Sequence, residues 1–138
     1  GFCTRDETAH FLQECRELEP VFKKAGIKLT KFFFTITKEE QAKRFQSRQT
    51  SPLKVGKMSA VDLASQSLWE EYDAMYYAML NGTHDWVVVD SNDKAKARIA
   101  AMQYVLLKND YLGKDLSVIG SVDPDILWSH DEEEIDHR

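Results

Sequence analysis

The sequence predicts an α/β fold with parallel strands and helices over both sheet faces. Three observations predict it. Ile27–Ile36 (IKLTKFFFTI) and Trp86–Val89 (WVVV) are rich in β-branched and aromatic residues. Both run nearly continuously apolar at their ends, as strands covered on two faces do. Each leads through a capping residue into a helical pattern. Strand, helix, break, helix, strand, helix is the order of a parallel pair joined by a right-handed crossover.

The elements follow in order. Thr4 and Glu7 have capping-box spacing. Phe11, Leu12, Cys15 and Leu18 then recur at helical spacing, and Pro20 predicts a stop. A short helical piece from Pro20 to Ala25 should end on Gly26 in a left-handed conformation. After the Phe32-Phe33-Phe34 strand, Thr37 and Glu40 repeat the capping spacing, and a helix should run to about Gln49. A helix is predicted from Ala60 to Leu80. Leu63, Leu68, Trp69, Tyr72, Met75, Tyr76 and Met79 form its core-packing face, and Asn81-Gly82 stops it. Asp93 can cap a last helix, Lys94–Lys108, with Ile99, Met102, Val105 and Leu106 on one face. Neither flank offers a third strand. Val118, Ile119, Ile126, Leu127 and Trp128 suggest a segment that docks on the rest. The organisation predicted is one domain over 1–122 and an acidic tail over 123–138, which holds seven acidic residues and one basic.

Composition removes several classes. No apolar run approaches the roughly 18 residues that cross a membrane. The N-terminal stretch has no basic region leading into an apolar one, so it does not read as a signal peptide. Cys3 and Cys15 lack metal-ligand spacing, and His10, His84, His130 and His137 form no cluster. A reduced, cytoplasmic chain is the simplest account. No phosphate loop of the G-x-x-x-x-G-K-[ST] type, no G-x-S-x-G and no H-E-x-x-H occurs. No set of residues amounts to a catalytic constellation or a metal site by itself.

One stretch is unusual. Gln41–Val61 carries Lys43, Arg44, Arg48, Lys54 and Lys57 with no acidic residue, in a chain of net charge −5. Arg44 and Arg48 stand four apart and share a helix face. Ser51-Pro52 then breaks the helix, because the residue before proline is pushed out of the α region. Ser59 can start the next one. Two helices joined by a basic elbow can close over a polyanion, with Arg forks and Lys point charges on phosphate. The same charges also read as a solvated helix end, and charge alone does not separate the two. A second candidate lies at the carboxyl end of the Trp86–Val89 strand, where ligands of open α/β sheets bind. There Lys94 and Arg98 can meet phosphate or sit as surface charges.

The order of these motifs resembles the polyphosphate kinase 2 family. Gly1-Phe2-Cys3-Thr4 opens a helix and Gly26-Ile27 leads into the Phe-rich strand. Glu39-Glu40-Gln41 follows, with Arg44-Phe45 and Arg48. Then come Pro52-Leu53-Lys54, Lys57-Met58-Ser59, Asp62, Ser91-Asn92-Asp93-Lys94 and Ala97-Arg98, and the resemblance runs to about Tyr111. It implies part of a P-loop kinase fold, a three-layer α/β/α arrangement with parallel strands and a helical lid. It implies phosphoryl transfer between inorganic polyphosphate and a nucleoside mono- or diphosphate, ADP or GDP, with Mg2+. The lid is then about 41–61, and Arg44, Arg48, Lys54 and Lys57 are its polyphosphate-binding residues. Gly56 departs from the aromatic residue that the family usually carries before the second lid lysine. The family's phosphate loop and Walker B segment precede the stretch that begins here. The chain is therefore expected to be a C-terminal half, inactive alone, with the Mg2+ ligands elsewhere. A homo-oligomer is compatible with the family; nucleic acid and membrane are not expected partners. A polyanion-binding module without chemistry and a thymidylate kinase-like fragment are the alternatives.

Overall fold

Capping chemistry sets most helix starts. The computed structural model describes residues 3–130. Helix α1 is Arg5–Lys24, and its box is reciprocal: Glu7 N donates to Thr4 Oγ1 (3.2 Å), and Thr4 N donates to Glu7 Oε2 (2.6 Å). The predicted stop at Pro20 is overturned, since α1 runs through it. Pro20 removes one N–H donor, but it is exposed, so water can serve the freed carbonyl. The helix ends instead in a Schellman motif: Ile27 N donates to Phe22 O, Gly26 N donates to Lys23 O, and Gly26 takes φ +80°.

Strand β1 is Lys31–Thr35, shorter than predicted. Its five residues are those that face the five of β2, Trp86–Asp90, so Ile27–Thr30 has no partner strand and stays irregular. The two strands are parallel neighbours, as expected, in the register Phe32 to Val87 and Phe34 to Val89. A third strand corrects the two-strand expectation. Leu127–Ser129, β3, pairs antiparallel with β2, giving the order β1-β2-β3. Asp90 N donates to Ile126 O at 2.8 Å and continues that pairing. Three residues are too few to display alternation, which is why the strand is silent in the sequence. It also draws Leu127 and Trp128 into the sheet, inside the stretch read as tail. The acidic Asp131–Glu134 run lies outside the described residues.

The chain divides into two compact units. The described part of the sheet unit is 30–36 with 85–130. Helix α5, Lys94–Lys108, has the predicted bounds and packs on β2. Its core joins Val87, Val89, Ala97, Ala100 and Leu127, with Phe32, Tyr104, Val122 and Ile126 around them. Phe32 meets Tyr104 edge-on at 5.6 Å between centroids. Ile99, Met102, Val105 and Leu106, grouped on one face by the sequence, are exposed. The alanines turn inward because they let the helix approach the strand closely. Val88 and Val89 are 0% exposed although they point to opposite faces, as a doubly covered strand requires. β1 departs from that pattern, with Phe34 50% exposed. Helix α6, Leu116–Ile119, is tied back to α5 by Gln103 Nε2 donating to Ile119 O at 2.8 Å.

The described part of the helical unit is 3–29 with 37–84. It contains α1, α2 (Lys38–Thr50), a 3₁₀ turn at Val55–Lys57, α3 (Ala60–Ser65) and α4 (Trp69–Leu80). The predicted single helix from Ala60 to Leu80 is therefore two. Ser65 Oγ donates to Asp62 O and Ser67 Oγ to Ala64 O, both at 2.7 Å, and Ser67 N also donates to Ala64 O. Such local serine bonds compete with helix continuation. On α4, Leu80 is buried and Tyr76 and Met79 half-buried, while Tyr72 and Met75 are exposed; the Leu63 side chain lies outside the described part.

Candidate functional site: a basic elbow on a helical hairpin

The basic stretch folds into a hairpin whose two ends are tied. α2 starts at Thr37, whose Oγ1 accepts from Glu40 N at 3.2 Å. It ends at Ser51, which takes the extended φ −99°, ψ 117° that Pro52 imposes. Two successive turns then shape the elbow: Lys54 N donates to Ser51 O and Lys57 N to Lys54 O, each at 2.9 Å. Ser59 caps α3 through a reciprocal box with Asp62. Ser59 N and Ser59 Oγ donate to Asp62 Oδ2 at 2.9 and 2.8 Å. These bonds hold the Asp62 carboxyl below the ordinary aspartate value, the Ser59 hydroxyl foremost, with Arg48 adding a smaller pull. At the other end, Gln66 Nε2 donates to Gln41 Oε1 at 2.5 Å. Since the end of α2 meets the start of α3 and the start of α2 meets its end, the two helices run back along each other.

The predicted cations differ in how they are held. Arg44 Nε donates to Glu40 Oε1 at 2.8 Å, and the Arg44 side chain is only 18% exposed. Arg48 reaches across the elbow: its Nη1 stands 3.8 Å from Asp62 Oδ1, and its guanidinium lies 5.6 Å from the Phe45 ring centroid. It is 32% exposed. Lys54 and Lys57 are exposed, and so is Lys43. Arg44, Arg48, Lys54 and Lys57 thus share one hairpin. Gly56 has open space where a Cβ would stand, so the backbone there does not demand glycine.

Lys94 and Arg98 belong to the sheet unit, exposed on the first turns of α5. Asp93 caps this helix, accepting from Ala95 N (2.9 Å) and Lys96 N (3.2 Å), and these N–H groups lower its pKa. Ser91 closes the strand ends: its N and Oγ donate to Thr35 O at 2.8 and 2.6 Å. Sequence reasoning missed Asp62 as the partner of Arg48. Its only signal was Ser59 three residues earlier, which announces the cap and says nothing of Arg48. Among the described residues, no three His, Cys, Asp or Glu side chains gather as metal ligands. Nor is any helix there long and apolar enough to cross a membrane.

Residues 1–116 of the chain match a known family model, that of polyphosphate kinase 2. The chain belongs to the polyphosphate kinase 2 family. Among its relatives, NDP-polyphosphate phosphotransferase 2 of Ruegeria pomeroyi is 40% identical over 131 residues, covering 92% of this chain and 38% of that protein. Polyphosphate kinase PPK2B of Corynebacterium glutamicum is 42% identical, covering 92% of this chain and 43% of its own. The GDP-polyphosphate phosphotransferase of Mycolicibacterium smegmatis is 43% identical, covering 92% and 46%. The chain spans less than half the length of these polyphosphate kinase 2 relatives.

Proposed function

We propose that this chain is the lid-bearing part of a cytoplasmic polyphosphate:nucleotide phosphotransferase of P-loop kinase fold. The elbow grips inorganic polyphosphate while a nucleoside mono- or diphosphate, ADP or GDP, exchanges a phosphoryl group with it. The observation that carries the reading is the hairpin itself: Arg48, Lys54 and Lys57 project from one elbow between two helices tied to each other. Family membership and the relatives' names support the substrate class. Arg48 supplies a planar fork for two phosphate oxygens, and Lys54 and Lys57 add charge along the chain of phosphates. Arg44, with its Nε donating to Glu40, serves more as support for the helix face. Lys94 and Arg98 are the candidates for a second phosphate contact. The family resemblance also implies Mg2+, with its ligands elsewhere than in this chain.

The test is polyphosphate-dependent phosphorylation by the full-length protein, with Arg48→Ala and Arg48→Lys at two salt concentrations. Charge-assisted hydrogen bonds contribute about 1.5–3 kcal/mol each, so Arg48→Ala should weaken polyphosphate use roughly ten- to a hundredfold. Arg48→Lys should recover only part, and added salt should weaken binding throughout. Three superposable rate curves would remove the elbow from the mechanism.

A further inference from the structure

We propose that Asp62 is a positioning residue for Arg48: it aims the guanidinium at the polyanion without using its hydrogen-bond donors. The proposal rests on the polyphosphate-grip reading of the elbow. It is carried by how the two oxygens of Asp62 divide their work. Oδ2 accepts both bonds from Ser59, so the carboxylate is fixed to the first turn of α3. Oδ1 is left to face Arg48 Nη1 at 3.8 Å. That distance makes an ion pair and is too long for a hydrogen bond. Arg44 contrasts with it, because its Nε is committed to Glu40 at 2.8 Å. On the side of its own helix, Arg48 lies within cation–π reach of Phe45. An arginine side chain surrenders considerable rotamer freedom when it is fixed. A carboxylate and a ring that hold it beforehand reduce what the ligand must supply on binding.

The opposing expectation is simple repulsion. A carboxylate beside a polyanion site should weaken binding, so neutralising it should tighten binding. Its charge is already engaged by Ser59 and Arg48, which leaves positioning as the larger effect.

The experiment is a double-mutant cycle on polyphosphate binding in the full-length protein, with wild type, Asp62→Asn, Arg48→Ala and the double variant, followed by titration calorimetry at low salt. Asn keeps an oxygen for the Ser59 bonds, and a thermal melt of each variant checks that the cap survives. Asp62→Asn should weaken binding about two- to fivefold, the range of a half-exposed ion pair. The loss should vanish when Arg48 is already alanine. Tighter binding, no change, or an equal loss in both backgrounds overturns the role given to Asp62 while leaving the grip intact. Should Arg48→Ala itself bind as wild type does, the grip reading falls and this inference falls with it.

Discussion

Gln66 and Gln41 join the far end of the helical hairpin through a 2.5 Å hydrogen bond between side-chain amides. Gln66 Nε2 also lies 3.4 Å from Lys38 O, so one side chain spans the start of α2. A net hydrogen bond of this kind contributes about 1 kcal/mol. Gln66→Ala should therefore raise the opening of the 38–66 segment roughly fivefold. Hydrogen exchange resolved by peptide would show it as faster exchange in α2 and α3, with α5 unaffected. Unchanged protection across the hairpin would mean that this bond does not hold the elbow.

Val89 and Met102 belong to the same sheet unit but sit at opposite extremes of burial. Val89 is fully buried between β1 and β3, and Met102 is exposed on α5. Val89→Ala loses two methyl groups and leaves a cavity, which should cost roughly 2–3 kcal/mol. Met102→Ala should stay within about 0.5 kcal/mol. Urea unfolding of the two variants decides it; equal midpoints would contradict the inward face assigned to α5.

Among the described residues, four carboxylates are held below their ordinary values by bonds they accept: Glu7 from the Thr4 N–H and hydroxyl, Asp62 from Ser59, Asp93 from Lys96 and Ala95, and Asp115 from Ser117. Each is lower in the folded chain than in the unfolded one. The unfolded state then binds more protons as pH falls, so stability is fully present above the unfolded values near 4 and is lost below them. The melting temperature should hold steady from about pH 7 to 5 and decline below about pH 4. Asp93→Asn caps α5 without titrating, so its acid decline should be shallower. A variant with the same acid slope as wild type would exclude Asp93 from the effect.

β1 ends the described sheet, whose order is β1-β2-β3, and it carries half-exposed Phe34. An apolar strand at a sheet edge invites a second chain. The 138-residue chain should self-associate with rising concentration in sedimentation velocity, and Phe34→Lys should reduce that association. A monomer at every concentration, with a sharp cooperative melt, would show that the edge needs no partner.

Local chemistry is legible in the residues alone. Thr4 with Glu7, Thr37, Ser59 with Asp62, and Asp93 all announce helix starts, because a cap acts within three residues of itself. The parallel pairing is legible too, because the stretch between two short apolar runs is long enough for a crossover. Pro52 and the clustered cations mark the elbow. They do not rank its cations, because Glu40 and Asp62 engage two of them through side-chain geometry.

The sequence by itself determined where α1, α2, α3 and α5 begin, which two strands align and where positive charge collects. Those properties depend on neighbouring residues and on composition. Only the tertiary structure decided that α1 passes Pro20, that α5 turns Ala97 and Ala100 inward, and that Leu127–Ser129 completes the sheet. Only there, too, does Arg48 face Asp62. Each of these depends on what solvent or a distant segment offers: water at an exposed helix turn, a sheet that small residues can approach, the side of β2 that β3 fills, a carboxylate across the elbow. Such partners are chosen by the free energy of the assembled chain, and a window of neighbouring residues does not contain them.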